Sequence, residues 1–183
     1  MRDRSNWDAG LPPSEESKEI LNFWFEECKP VQWFRRDPDF DAVVSSRFKP
    51  KVEDALHGRL SHWEQQANPA LALVLLLDQF TRQLWRDSPL AFSGDPLALE
   101  LSLKAEQRGW IAREPHRPRR QFWLMPRLHS EDLNIQTAAI PLFERWTDPK
   151  TCAIAERYRD ILATYGRFPH RDAIRQTGTN GLI

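Results

Sequence analysis

Apolar side chains recur every three or four positions through most of the chain, the period of helices that bury one face. Ile20, Leu21, Trp24 and Phe25 form one stripe, and Phe40, Val43, Val44, Phe48 and Val52 a second. Ile135, Ala139, Leu142, Phe143 and Trp146 form a third, and Ile154, Tyr158, Ile161, Leu162 and Tyr165 a fourth. Leu71 to Leu77 is apolar all round, which predicts a buried central helix near residues 69–80. β-Branched residues never alternate over a run, so the pattern predicts an all-α fold.

Helix ends are marked as clearly as helix faces. Asp37-Pro38, Asn68-Pro69, Asp95-Pro96 and Asp148-Pro149 each place a capping side chain before a proline. Such a side chain accepts from first-turn N–H groups, and proline lacks a donor that would go unpaired there. Ser14 followed by Glu15 and Glu16 gives a fifth start, and Gly58, Gly109 and Gly166 stand where helices should stop. Pro50 falls inside the second stripe and predicts a kink or a break. The spacing of the starts suggests antiparallel helix pairs in a single domain over residues 14–175, with loosely ordered ends at 1–13 and 176–183.

The chain has 183 residues, a length that fits one domain with a sizeable core. Its 26 basic and 26 acidic side chains cancel, so no global field draws it to nucleic acid or to an anionic membrane. The basic stretch Arg113, His116, Arg117, Arg119, Arg120 and Arg127 reads as a solvated loop leading into a helix. Cys28 and Cys152 are too few for a disulfide framework, and the polar N-terminus does not read as a secretory signal. A cytoplasmic protein is expected. Glycine-rich phosphate loops, nucleophile elbows and His-Glu-x-x-His helices are absent from the sequence, so no cofactor or metal is expected.

Three motifs carry candidate chemistry. Asp78, Gln79 and Arg82 lie at the end of the predicted central helix, where polar groups are costly unless paired. Asp78 and Arg82 can form an ion pair at i, i+4, or Gln79 and Arg82 can point together into a cavity. His129-Ser130-Glu131-Asp132 precedes the third stripe; Ser130 reads as a cap with an acidic first turn behind it. The same cluster with His170 offers mixed ligands for a divalent cation, although its spacing is equally that of a cap. In Tyr165-Gly166-Arg167-Phe168-Pro169-His170-Arg171, two guanidiniums and an imidazole surround a helix-ending glycine and a stiff turn. Phe168 can plug the core while Arg167 and Arg171 bond helix carbonyls, or Arg167, His170 and Arg171 can line a pocket.

Taken in order, Phe23-Trp24-Phe25, Trp33-Phe34, Leu77-Asp78-Gln79-Phe80-x-Arg82, Phe92-x-x-Asp95, Met125-Pro126-x-x-His129-Ser130-Glu131-Asp132 and Tyr165 to Arg171 resemble the bacterial family known as domain of unknown function 924 (DUF924). The resemblance covers residues 17–175. It implies a tetratricopeptide-like helical fold and no assigned activity. Thr81, Gln83 and Asp172 depart from the family pattern, in which proline, asparagine and asparagine are usual. The resemblance carries Asp78, Gln79, Arg82, His129, Glu131, Asp132, Arg167, His170 and Arg171 as candidate site residues.

Three functional readings follow. One is a binding protein that holds a small anionic molecule or an extended peptide against arginines and aromatic rings. Another is an enzyme in which His129 or His170 acts as general acid or base, with Glu131 or Asp132 orienting it and the arginines clamping an anion. A structural interaction module is a third. Neither nucleic acid nor membrane is expected as a partner, and nothing in the residues fixes an oligomeric state.

Overall fold

The computed structural model describes residues 14–174. The ends expected to be loosely ordered, 1–13 and 176–183, lie outside the described residues. Helices account for nearly all regular structure, and among the described residues there is no strand.

The helices in chain order are α1 (Glu15–Asn22), α2 (Pro30–Phe34), α3 (Pro38–Leu56), α4 (Ala67–Val74), α5 (Thr81–Leu84), α6 (Asp95–Gln107), α7 (Trp110–Arg113), α8 (Arg117–His129), α9 (Leu133–Trp146) and α10 (Pro149–Tyr165). Capping chemistry sets several starts. Ser14 accepts from Ser17 N–H, Asp37 from Asp39 and Phe40 N–H, and Asp148 from Lys150 and Thr151 N–H. Gly166 closes α10 in the left-handed region at φ 66°, where a Cβ would be unfavourable.

Two of the expected starts are built differently. α4 begins at Ala67, before Asn68-Pro69, and its cap position is Gln66. α6 begins at Asp95 itself, with Gly94 at the cap position and no capping side chain. The predicted kink or break at Pro50 is not a break, since α3 runs through it from Pro38 to Leu56. Val44, Phe48, Val52 and Ala55 are buried on both sides of the proline, and their packing holds the helix together where one backbone bond is missing.

The central helix is the frame for the rest. α4 continues without interruption through a π-helical turn, Leu75–Phe80, into α5. Every residue from Pro69 to Thr81 is buried, including Asp78 and Gln79. α1 packs on α4, and α3 on the π-helical turn; α8 packs on α6 and α9, and α9 on α10. One hydrophobic cluster reaches from Ile20 to Ala155, with Trp24, Phe48, Phe80, Phe122 and Trp123 among its most buried rings. Trp33 Nε1 donates to the Trp24 carbonyl at 2.9 Å, which fixes α2 beside the core.

Candidate functional site

The π-helical turn determines which way Asp78 and Gln79 face. One wider turn changes the angular register of every residue after it, and such turns recur at functional sites. The Leu77 carbonyl in this turn accepts from the Thr81 hydroxyl at 2.9 Å. Gly94 packs on the same group, and a Cβ there would stand 2.2 Å from the Leu77 oxygen. Only glycine permits this approach, and it brings the following residue, Asp95, alongside the turn.

The polar side chains so assembled form one network. Asp78, with no exposed surface, holds Nδ1 of His129 at 2.7 Å through Oδ1 and accepts from Gln79 Nε2 at 2.6 Å through Oδ2. Arg82 Nη1 lies 3.6 Å from Asp78 Oδ1 and also donates to the Asp78 backbone carbonyl. Arg82 reaches Asp95 as well, at 2.9 Å from Nη1 to Oδ1 and 3.1 Å from Nη2 to Oδ2. Arg171 closes the network from behind. Its Nη1 is 3.5 Å from Asp95 Oδ2, its Nη2 donates to the His129 carbonyl at 3.1 Å, and its guanidinium lies over Phe92 and Phe168.

Electrostatics fix the state of this cluster. Burial pushes the Asp78 carboxyl upward, but the charges of His129 and Arg82 and the hydrogen bonds from His129 and Gln79 outweigh it, leaving its pKa below the ordinary value. Burial dominates at Asp95, whose carboxyl is raised despite the opposing pull of Arg82 and His129. Because Asp78 is an acceptor, neutral His129 carries its proton on Nδ1 and keeps a lone pair on Nε2. Nε2 has no hydrogen-bond partner among the described residues and is not sealed from solvent.

His129 opens into a cleft of about 510 Å³, within the range that holds small molecules. Trp33 and Phe34 of α2 line one part, and Gln79, Arg82 and Gln83 of the central rod another. α8 adds Gln121, Met125, Leu128 and His129. α10 contributes Lys150, Thr151, Ile154, Arg157 and Tyr158, positions that share one helical face. The cations differ in how they are held. Arg82 is committed to Asp78 and Asp95, and Arg86 to Asp41, with Nη2 2.7 Å from Oδ1. Lys150 and Arg157 have no acidic partner among the described residues.

The candidate residues of the three motifs therefore separate. Asp78, Gln79, Arg82 and His129 meet, and Arg171 braces them. Glu131 accepts from the Phe168 N–H at 2.8 Å and ties the 165–171 segment down. Asp132, not Ser130, caps α9, accepting from Asn134 at 2.8 Å and Ile135 at 3.3 Å. Arg167 is half-exposed and pairs with Asp172 at 2.8 Å. His170 is exposed, stacks on Phe168 at 5.5 Å and does not line the cleft. His129, Glu131 and Asp132 thus make separate contacts, with Asp78, with the Phe168 N–H and with the first turn of α9.

Sequence reasoning passed over Asp95, taken for a cap, and Gln83, Lys150 and Arg157. The only signal for the last two is their spacing with Ile154 and Tyr158, cations placed on the flank of an otherwise apolar helical stripe. Three arginines of the basic stretch are engaged internally: Arg119 with Glu114 at 2.9 Å, Arg127 with Glu106 at 2.6 Å, and Arg120 over Trp146. Away from the cleft, ligand atoms of Glu144, Cys152 and Glu156 lie within 4.8 Å of one another. Burial and the two neighbouring acids raise the Cys152 pKa and so hold the thiol protonated.

Fold and site together define an all-helical protein with a cleft built around a buried acid–imidazole pair. The chain belongs to the family described as bacterial protein of unknown function (DUF924), whose model matches residues 20–179. It is also similar to a solved structure of a protein of unknown function from Agrobacterium tumefaciens, at 32% identity and a TM-score of 0.82. That similarity covers 91% of this chain and 98% of the other. No curated protein matches. Among the described residues, no helix is long and apolar enough to cross a membrane.

Proposed function

We propose that the cleft binds a small anionic molecule, or the acidic end of an extended peptide, with an apolar portion against Trp33, Phe34 and Tyr158. The observation that carries this reading is the pair Lys150 and Arg157, two cations without acidic partners among the described residues, on the wall of the cleft into which His129 opens. The other two cations that line the cleft, Arg82 and Arg86, are matched by acids. Two unmatched ones on one face attract an anion and cost nothing to desolvate beforehand.

The test is a thermal-shift screen with di- and tricarboxylates, phosphorylated small molecules and acidic peptides. A ligand at a hundred times its Kd stabilises the fold by about 2.7 kcal/mol, a readily measured shift. The Lys150→Met/Arg157→Met protein should keep its own melting temperature and lose the shift. A panel without hits, or a hit equally strong in the double variant, counts against the reading.

A further inference from the structure

We propose that the cleft is also a hydrolytic site, in which His129 Nε2 is the general base that activates water against an ester of an anionic acid. The proposal rests on the anion-binding reading, since Lys150 and Arg157 would hold the acid end of the substrate. Its own support is the geometry of the imidazole. Asp78 is wholly buried and 2.7 Å from Nδ1, which fixes the tautomer and stabilises an imidazolium once formed. Nε2 is left open to the cleft with its lone pair. Asp78 and Asp95 on one side and Arg82 and Arg171 on the other hold the imidazole in a paired setting.

The other lining groups decide the class of reaction. Among them, Thr151 alone carries an aliphatic hydroxyl, and it donates to Asp148 at 2.7 Å, so the nucleophile available to His129 is water. Gln83 is buried against the cleft with Oε1 enclosed and without a partner among the described residues, so the open end of its amide is the Nε2 donor. That donor suits the oxyanion of a tetrahedral intermediate.

In the step, water gives a proton to His129 Nε2 as its oxygen bonds the ester carbonyl carbon, and the carbonyl oxygen becomes an oxyanion beside Gln83. The oxyanion collapses, the bond to the alcohol oxygen breaks, and Nε2 returns the proton to that oxygen. Ester and water become acid and alcohol, with no change of oxidation state.

The experiment uses the full chain with 4-nitrophenyl hydrogen glutarate, the neutral 4-nitrophenyl butyrate and, as the phosphoester arm, bis(4-nitrophenyl) phosphate. Turnover of the anionic carboxylic ester should exceed that of the neutral one at least tenfold in kcat/KM. His129→Asn, whose amide can still donate to Asp78, should keep the fold by circular dichroism and lower kcat by about a hundredfold or more. Gln83→Leu should lower kcat by about a hundredfold with KM little changed, whereas Lys150→Met and Arg157→Met should raise KM. Arg167→Ala should match the wild type. Absence of turnover of all three esters, or a folded His129→Asn protein as active as wild type, overturns the proposal; preference for the phosphoester overturns the substrate class. Glutarate binding, followed separately by thermal shift, then shows whether the anion site survives without the chemistry.

Discussion

The Leu77–Gln83 and Tyr165–Arg171 stretches carry similar side chains, arginines beside acids or imidazoles, yet the fold uses them differently. The first lies on a helix buried on all sides, so its polar groups must be paired inward or open into a cavity; Asp78 is paired inward, and Gln79 and Arg82 are paired and also line the cleft. The second lies at the surface as a latch. Phe168 is fully buried, Arg171 clamps Asp95 and the His129 carbonyl, and Arg167 and His170 stay outside. A motif of charged residues marks a site only where burial has removed water and left one group facing a cleft. At the surface the same residues hold the chain down.

The contrast is broken most severely at the latch. Phe168→Ala should cost about 4 kcal/mol, because an aromatic side chain with no exposed surface leaves a cavity; denaturant unfolding measures it, and a loss below about 1 kcal/mol would mean that the segment is not anchored. Gly94→Ala should cost about 3 kcal/mol, since the added methyl meets backbone of the π-helical turn and not a yielding side chain. The same variant should weaken anion binding, as it displaces Asp95 from Arg82.

Asp78→Asn sharpens the comparison from the side of the cleft. It should destabilise by about 3 kcal/mol, because His129 and Arg82 lose a buried partner. It should also flatten the acid limb of the stability curve. The folded pKa of Asp78 is depressed, so its contribution is present above the unfolded carboxyl range near about 4 and is lost as pH falls through the lower folded value. Asp95, whose folded pKa is raised, works in the opposite sense and loses stability as pH rises through that value. Urea unfolding between pH 3 and 7 should therefore show a steeper acid loss in wild type than in Asp78→Asn. The smallest effect is expected at Arg167→Ala, whose melting temperature and ligand response should equal those of wild type, since its pair with Asp172 is solvent-screened.

The all-helical fold, three of the side-chain-capped starts and the glycine stops were legible because each depends on local backbone chemistry. Capping needs only a side-chain oxygen and the next three residues, as at Asp37 and Asp148. The route of α3 through Pro50 was not legible, because long-range packing overrides a local preference. Nor was the π-helical turn, since Leu75 to Leu77 reads as an ordinary apolar run. Of the site, Asp78, Gln79 and Arg82 stood out as polar residues at costly positions, and His129 as part of the cluster that precedes α9. Asp95 was hidden by its resemblance to a cap, and Lys150 and Arg157 by being ordinary surface cations until a cleft appears beside them. Glu131, Asp132, Arg167 and His170 stood out as strongly, but Glu131 holds the Phe168 N–H, Asp132 caps its own helix, Arg167 pairs with nearby Asp172 and His170 stacks on Phe168.

An NMR titration with glutarate, following amide and imidazole signals, tests the central claim most directly. The cleft account predicts saturable shifts at Gln79, Gln83, His129, Lys150 and Arg157, lost in Lys150→Met/Arg157→Met, with Arg167 and His170 unmoved. Saturable shifts confined to Arg167 and His170, or unchanged in the double variant, would contradict it.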